Sequence, residues 1–235
     1  HRGDLREKEN LLNAWGLDDV NETGGPRAST HVLSHMTSLW ERKGLLDSYK
    51  TDMENRFSNK AYVVRPSPLP LEDYYDVYVG QQAKRYLQTY DYKAPWFCWI
   101  SFGGPHEPWD APMPYANMYN PNSMPQAIPK NIGRTNKRPQ GFLDKITNGK
   151  WSPDFETDEV NAMRANYAGS VTLIDDQIGE ILEVIEARGE MENTIIAFTS
   201  DHGEMNGDHG LIYKMNFLDG SVRVPLIIKV PGLEG

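Results

Sequence analysis

The chain has 235 residues, which is enough for one large domain or two small ones with a hydrophobic core. Its 24 lysine and arginine residues against 33 aspartate and glutamate residues give a net charge of −9, which argues against a general binder of nucleic acid or anionic membranes. No run of sequence approaches the ~18 apolar residues that a membrane helix needs. The single cysteine, Cys98, excludes an internal disulfide and a cysteine-based zinc site.

Both ends of the sequence look cut. The chain starts at His1 without Met and without a signal-peptide pattern, and it stops at Gly235 just after an apolar, strand-like run. We therefore expect residues 1–235 to be a piece of a longer protein.

Short helices are predicted in the first ninety residues. Residues 5–15 carry leucines and a tryptophan at helical spacing and end at Gly16, a typical helix stop. A second helix is predicted over residues 37–49 and a third over residues 73–90, where apolar side chains recur at helical spacing. Residues 63–70 are rich in proline and are predicted to be extended.

The rest of the chain alternates predicted strands with one long helix. Residues 95–101, 194–199 and 224–230 are short apolar runs of the kind found in buried strands. Residues 160–187 form the clearest helix, whose predicted apolar stripe comprises Met163, Tyr167, Val171, Ile174, Ile178, Ile181, Leu182 and Ile185. The sequence thus predicts an α/β fold with a mixed, mostly parallel central sheet covered by helices on both faces. Residues 104–155 are predicted to be a long, loop-rich insertion near the functional site.

Polar side chains follow two of the predicted strands. Asp201 and His202 come directly after one strand, and a carboxylate beside an imidazole suits a divalent cation. Lys214 lies a little further along and could contact a sulfate or phosphate oxygen. His106 follows the other strand in a proline-rich turn, where a histidine can donate a proton to a leaving group. Because ligands bind beyond the carboxyl ends of strands, we expect these four side chains to converge at one edge of the sheet.

Three motifs give the sequence a resemblance to a known family. Residues 200–214 read S-D-H-G-E-M-N-G-D-H-G-L-I-Y-K, residues 221–232 read S-V-R-V-P-L-I-I-K-V-P-G, and residues 104–109 read G-P-H-E-P-W. Together they resemble the signatures of the sulfatase family within the alkaline phosphatase superfamily. The resemblance implies that residues 1–235 are the central and C-terminal part of a sulfatase catalytic domain, truncated at both ends.

The resemblance also implies roles for the four side chains. Asp201 and His202 would be ligands of a divalent cation, usually Ca²⁺, although many members have Asn where His202 stands. Lys214 would contact the sulfate group, and His106 would contact the sulfate or the leaving-group oxygen.

The nucleophile of the family is missing from these 235 residues. Members carry a C/S-x-P-x-R motif whose Cys or Ser becomes formylglycine. Cys98 is followed by Trp-Ile, and Ser123 has Ala127 where the arginine belongs, so neither residue fits the motif. We therefore expect the nucleophile and the other metal ligands to lie upstream in the parent protein, and residues 1–235 alone to be inactive.

The leading functional prediction is hydrolysis of a sulfate ester by a metal-assisted covalent mechanism, with a sulfated small molecule or carbohydrate as the substrate. One alternative is a phosphonate monoester or phosphodiester hydrolase of the same superfamily, and another is a catalytically inert fragment or pseudoenzyme. Four tryptophans near the predicted site are candidates for stacking on a sugar ring: Trp96, Trp99, Trp109 and Trp151. The pattern predicts no nucleic-acid or membrane partner and leaves the oligomeric state and the compartment open.

Overall fold

The computed structural model describes residues 3–60, 62–91, 93–130 and 152–233. Helices dominate this part of the chain, and they are α1 Glu9–Ala14, α2 Gly25–Ala28, α3 His35–Arg42, α4 Leu46–Asn59, α5 Tyr75–Thr89, α6 Thr157–Ala187 and α7 Asp219–Val222. The two strands are β1 Ile196–Thr199 and β2 Leu226–Lys229. Single 3₁₀ turns lie at Leu5–Lys8, Leu71–Asp73, Tyr115–Asn117, Pro121–Ser123, Met191–Asn193 and Asp208–Gly210. No helix in these ranges is both long enough and apolar enough to cross a bilayer.

The helix predicted over residues 37–49 is in fact two helices. Helix α3 begins after Ser34, whose side chain accepts a hydrogen bond from the Thr37 amide while the Thr37 hydroxyl accepts one from the Ser34 amide. The break before α4 falls at Gly44, which has a left-handed φ of 71° that only glycine adopts without strain. The helices predicted over residues 73–90 and 160–187 are confirmed as α5 and α6.

The core forms where α5 and α6 pack together and α3 and α4 close over them. Trp40 and Tyr49 are fully buried in this cluster and pack ring against ring with centroids 4.8 Å apart. The two long helices approach closely at Gly80, where an added Cβ would lie 2.4 Å from Gln177 Oε1. Val171 was predicted to belong to the buried stripe of α6, but its side chain is 45 % exposed because it lies on the outer face of the helix.

The described residues show only one pair of strands of the predicted mixed, mostly parallel sheet. Strands β1 and β2 pair antiparallel, with Thr199 opposite Leu226. Residues 95–101 are assigned to no strand. The apolar pattern predicted burial, yet in β2 the side chains of Leu226, Ile227 and Ile228 are 54–66 % exposed. The described helices thus leave both faces of this strand pair open, and the larger parallel sheet remains a prediction.

The loop-rich segment over residues 104–155 is described except for residues 131–151. Its first part packs along α6, where the Tyr115 hydroxyl donates to Asp176 Oδ2 at 2.6 Å. The two ends that flank the undescribed residues meet the 3₁₀ turn at Asp208–Gly210. The Ile128 amide donates to Asp208 Oδ1 at 2.8 Å, and Ser152 Oγ donates to the Gly210 carbonyl at 2.9 Å. The insertion is therefore anchored only a few residues before Lys214.

Candidate functional site

The two most separated predicted site residues lie in direct contact. Lys214 Nζ is 2.5 Å from His106 Nε2, although the two residues are 108 positions apart in the chain. The Glu107 carboxylate bridges them, with Oε2 at 3.1 Å from Lys214 Nζ and 3.0 Å from His106 Nδ1. The structure thus brings an ammonium, an imidazole and a carboxylate together at one point.

A buried carboxylate holds the loop that carries His106. Asp76, in the first turn of α5, accepts hydrogen bonds at Oδ1 from the amides of Gly103 at 2.8 Å and Gly104 at 3.0 Å. A side chain at position 104 would not fit, since an added Cβ would lie 2.3 Å from Asp76 Oδ2. Burial raises the pKa of Asp76 to about 7, against the opposing effect of these two amides. A contact with α5 therefore helps to position the loop that carries His106.

A strained turn holds Lys214. Its neighbours Tyr213 and Met215 have φ values of 69° and 73°, in the left-handed region that non-glycine residues rarely adopt. Glu204 Oε1 accepts a hydrogen bond from the Tyr213 amide at 2.5 Å and from the Asn206 amide at 3.3 Å. Burial raises the pKa of Glu204 to about 7, although these amides act to lower it. Such strain persists only where surrounding contacts define the backbone, so the direction of Lys214 is set by the loop.

The electrostatics of His106 and Glu107 are coupled. Burial alone would lower the pKa of His106, but its hydrogen bonds to the Glu107 carboxylate and carbonyl outweigh burial and raise that pKa above its usual value. Burial alone would raise the pKa of Glu107, yet His106 and Lys214 hold it below its usual value. His106 Nδ1 faces two acceptors, the carboxylate and the Glu107 carbonyl at 2.8 Å, so we assign its proton to Nδ1. In the neutral ring, Nε2 then presents its lone pair to Lys214.

The predicted metal ligands lie beside this cluster. The His202 ring centroid is 6.2 Å from that of His106. His202 Nδ1 lies 3.0 Å from the Gly203 carbonyl, which leaves Nε2 free at 3.6 Å from Asp201 Oδ2. An imidazole nitrogen and a carboxylate oxygen so placed fit two ligands of one divalent cation. Within the described ranges no group of three or more His, Cys, Asp or Glu side chains is placed to hold a metal ion.

Two charged residues of the site were missed by the sequence analysis. Glu107 follows His106 directly, so adjacency to a candidate histidine was the one available signal. Arg27 lies on α2, and its Nη1 is 3.9 Å from Glu107 Oε1. Nothing in the sequence around residue 27 indicates this contact, because it depends on how α2 packs.

The four tryptophans predicted to lie near the site differ in how exposed they are. Trp109 is 3 % exposed, with its indole N–H donating to Asn206 Oδ1 at 3.0 Å, so it supports the loop instead of facing a ligand. Trp96 donates to Glu190 at 3.0 Å and is half-buried. Trp99 is 81 % exposed, and Trp151 lies outside the described residues.

Comparisons with known proteins identify the family of the chain. The Sulfatase family model matches residues 16–235, and the chain belongs to this family. It is 33 % identical over 179 residues to the multifunctional alkaline phosphatase superfamily protein PehA of Trinickia caryophylli, covering 72 % of this chain and 35 % of that protein. It is 32 % identical over 164 residues to an arylsulfatase of Clostridium perfringens, covering 66 % of this chain and 32 % of that protein. The chain thus spans about a third of the length of these curated relatives.

Solved structures share the fold. The phosphonate monoester hydrolase of Agrobacterium radiobacter superposes with a TM-score of 0.65 at 27 % identity, covering 86 % of this chain and 43 % of that one. The chain is therefore part of an alkaline-phosphatase-like fold of the sulfatase family.

Proposed function

We propose that the protein hydrolyses sulfate esters and that Lys214 and His106 act on the ester group. The observation that carries the proposal is the 2.5 Å contact between Lys214 Nζ and His106 Nε2 beside the half-exposed His202. An ammonium held at that point neutralises charge on the sulfate oxygens, and the imidazole assists the departing oxygen by proton transfer.

The proposal assigns a cation to Asp201 and His202. A divalent ion, with Ca²⁺ as the first candidate, would supply further neutralisation of the sulfate group. These two residues supply only two of the ~6–8 ligands that Ca²⁺ takes, so the proposal needs more ligands than this pair.

The proposal also needs a nucleophile. The 235 residues contain no C/S-x-P-x-R motif. We place a formylglycine nucleophile on polypeptide outside residues 1–235, which would then form the central and C-terminal part of the catalytic domain. Residues 1–235 alone are expected to show no turnover.

A phosphonate monoester hydrolase is the second candidate. It is favoured by the likeness to the solved phosphonate monoester hydrolases, which match at TM-scores of 0.65 and 0.63. Lysine and imidazole would serve a phosphoryl group by the same charge neutralisation.

Steady-state kinetics of the full-length parent protein test the proposal. With 4-nitrophenyl sulfate, Lys214→Ala and His106→Ala should each lower kcat by about 10²-fold or more, since each removes a group that acts on the reacting atoms. The matched controls are Lys8→Ala and His31→Ala at exposed positions, which should leave kcat unchanged.

Three outcomes would contradict the proposal. Unchanged rates in both site variants would remove Lys214 and His106 from the reaction. A much higher kcat/KM for phenylphosphonate monoesters than for the sulfate would favour the second candidate. If the full-length protein hydrolyses neither ester, the result would favour the alternative of a catalytically inert pseudoenzyme.

A further inference from the structure

Arg27 reaches the site from a distant part of the chain, and contacts with the core fix the helix α2 that carries it. The Tyr49 hydroxyl donates to the Pro26 carbonyl at 2.8 Å, which ties α2 to the core. Pro26 also packs against the glycine pair that precedes His106, since an added Cβ at Gly103 would lie 3.3 Å from Pro26 Cδ. The position of Arg27 relative to His106 is thus fixed by packing.

The plane of the Arg27 guanidinium is oriented by stacking on an aromatic ring, and its N–H groups stay available as hydrogen-bond donors. Its central carbon lies 4.1 Å from the centre of the Phe57 ring, a stacking contact that orients the plane without using an N–H group. Its Nη1 is 3.9 Å from Glu107 Oε1, which is too long for a hydrogen bond. Within the described ranges no residue accepts a hydrogen bond from this guanidinium, and the side chain is 46 % exposed.

Three basic side chains face the Glu107 carboxylate. Its Oε2 contacts Lys214 and His106, while Arg27 faces its Oε1. A second carboxyl group, Glu204, also interacts electrostatically with Lys214, but burial raises its pKa to about 7. Because Arg27 and Lys214 face different oxygens of Glu107, they can contact different groups of one ligand.

We propose that Arg27 is a specificity-determining residue that binds a second anionic group, a carboxylate or a second sulfate, on the substrate whose ester group is held by Lys214. The planar guanidinium can bind such a group through two parallel N–H bonds, a geometry that lysine cannot reproduce. This inference rests on the proposed function, since Lys214 is taken to hold the ester. The substrate class it defines is sulfate esters of molecules that carry a further negative charge.

Binding of unreactive sulfonates to the full-length protein tests the inference without turnover. Calorimetry should show that the wild type binds benzene-1,3-disulfonate about tenfold or more tightly than benzenesulfonate. Arg27→Ala and Arg27→Gln should abolish this preference by weakening the binding of the disulfonate far more than that of benzenesulfonate, while Arg27→Lys should retain only part of it. Arg85→Ala, at an exposed position on α5, is the matched control and should retain the full preference.

The outcomes separate the two proposals. Absence of a preference in the wild type, or a preference that survives in Arg27→Ala and Arg27→Gln, would overturn the role of Arg27. Loss of benzenesulfonate binding in Lys214→Ala supports the premise that Lys214 holds the monoanion. If Lys214→Ala binds benzenesulfonate like the wild type, that premise fails, and with it the assignment of Arg27 to a group beside the ester.

Discussion

Glu107 is the residue at which the charged groups of the site meet. Its side chain is 7 % exposed, and a carboxylate so deeply placed would be costly to ionise without partners. Lys214 and His106 supply those partners and keep the pKa of Glu107 below its usual value. Glu107 thus orients both groups that the proposed chemistry uses, and it also competes with a substrate anion for Lys214.

Glu107→Gln should therefore separate turnover from binding. We expect kcat for a sulfate ester to fall about tenfold or more, because Lys214 and His106 lose the charge that aligns them. We expect KM to stay the same or fall, because a negative charge has been removed from a site for anions. Steady-state kinetics measure both constants, with Glu41→Gln at an exposed position as the control. An unchanged kcat would show that Glu107 does not align Lys214 and His106 for the reaction.

The site residues differ in how far the sequence could predict them. His106, Asp201, His202 and Lys214 stand in local motifs, so their proximity could be anticipated before any fold was known. Arg27 carries no such signal, because its place depends on the contact between Pro26 and a glycine 77 positions away. A side chain that reaches a site through the packing of distant segments has no recognisable motif in the residues next to it.

At the scale of elements, Asp76 links α5 to the loop that carries His106. The carboxylate has no exposed surface, and its Oδ2 has no hydrogen-bond partner among the described residues. Asp110 shares the same buried region, and burial raises its pKa to about 6. The contact between α5 and the loop that carries His106 thus depends on carboxyl groups that titrate near neutral pH.

Stability should consequently fall as pH rises. The carboxyl of Asp76 titrates near 3.8 in the unfolded chain and near 7 in the folded protein, so between these pH values the folded protein holds a proton that the unfolded chain has lost. The free energy of unfolding then decreases as pH rises from about 4 through about 7, by about 1.4 kcal/mol for each unit of difference in pKa. Asp76→Asn should reduce this decrease by up to a few kcal/mol.

Urea unfolding at pH 5 and pH 8 measures the effect. Asp47→Asn, at an exposed position in α4, is the control and should behave like the wild type. An equal pH dependence in Asp76→Asn and the wild type would mean that the Asp76 carboxyl does not change its protonation in the folded protein over this range.

The helices could be predicted from the sequence better than the sheet. Helix periodicity is local, so α5 and α6 were found. The break at Gly44 was missed, because the pattern does not report the backbone angle that it depends on. Strand pairing is not local. The apolar run at residues 224–230 predicted a buried strand, but the strands that pair with it and the helices that would bury its faces belong to other segments. The antiparallel pairing of β1 with β2 had no sequence signal of its own.

At the scale of the whole molecule, apolar surface is left open. Phe97 and Trp99 are 81 % exposed, and the side chains of Leu226, Ile227 and Ile228 are more than half exposed. Exposed apolar side chains of this size promote association despite the net charge of −9.

Residues 1–235 alone should therefore bind Nile red and self-associate as the concentration increases. Replacing Phe97 and Trp99 by Ser should lower both signals, because two large exposed aromatic side chains are removed. Val171→Ser, at a single exposed position on α6, is the control and should change neither. Dye fluorescence and sedimentation velocity are the measurements, and a monomeric wild type without dye binding would contradict the expectation.

The only cysteine of the chain is the sequence neighbour of two exposed aromatic residues. Cys98 stands between Phe97 and Trp99, and because it is half-buried, its pKa is raised and its reaction with alkylating reagents is slowed. A fluorophore attached there would need no engineered cysteine and could label no second site within these 235 residues. The emission wavelength and anisotropy of the fluorophore would report, in real time, whether another polypeptide covers Phe97 and Trp99.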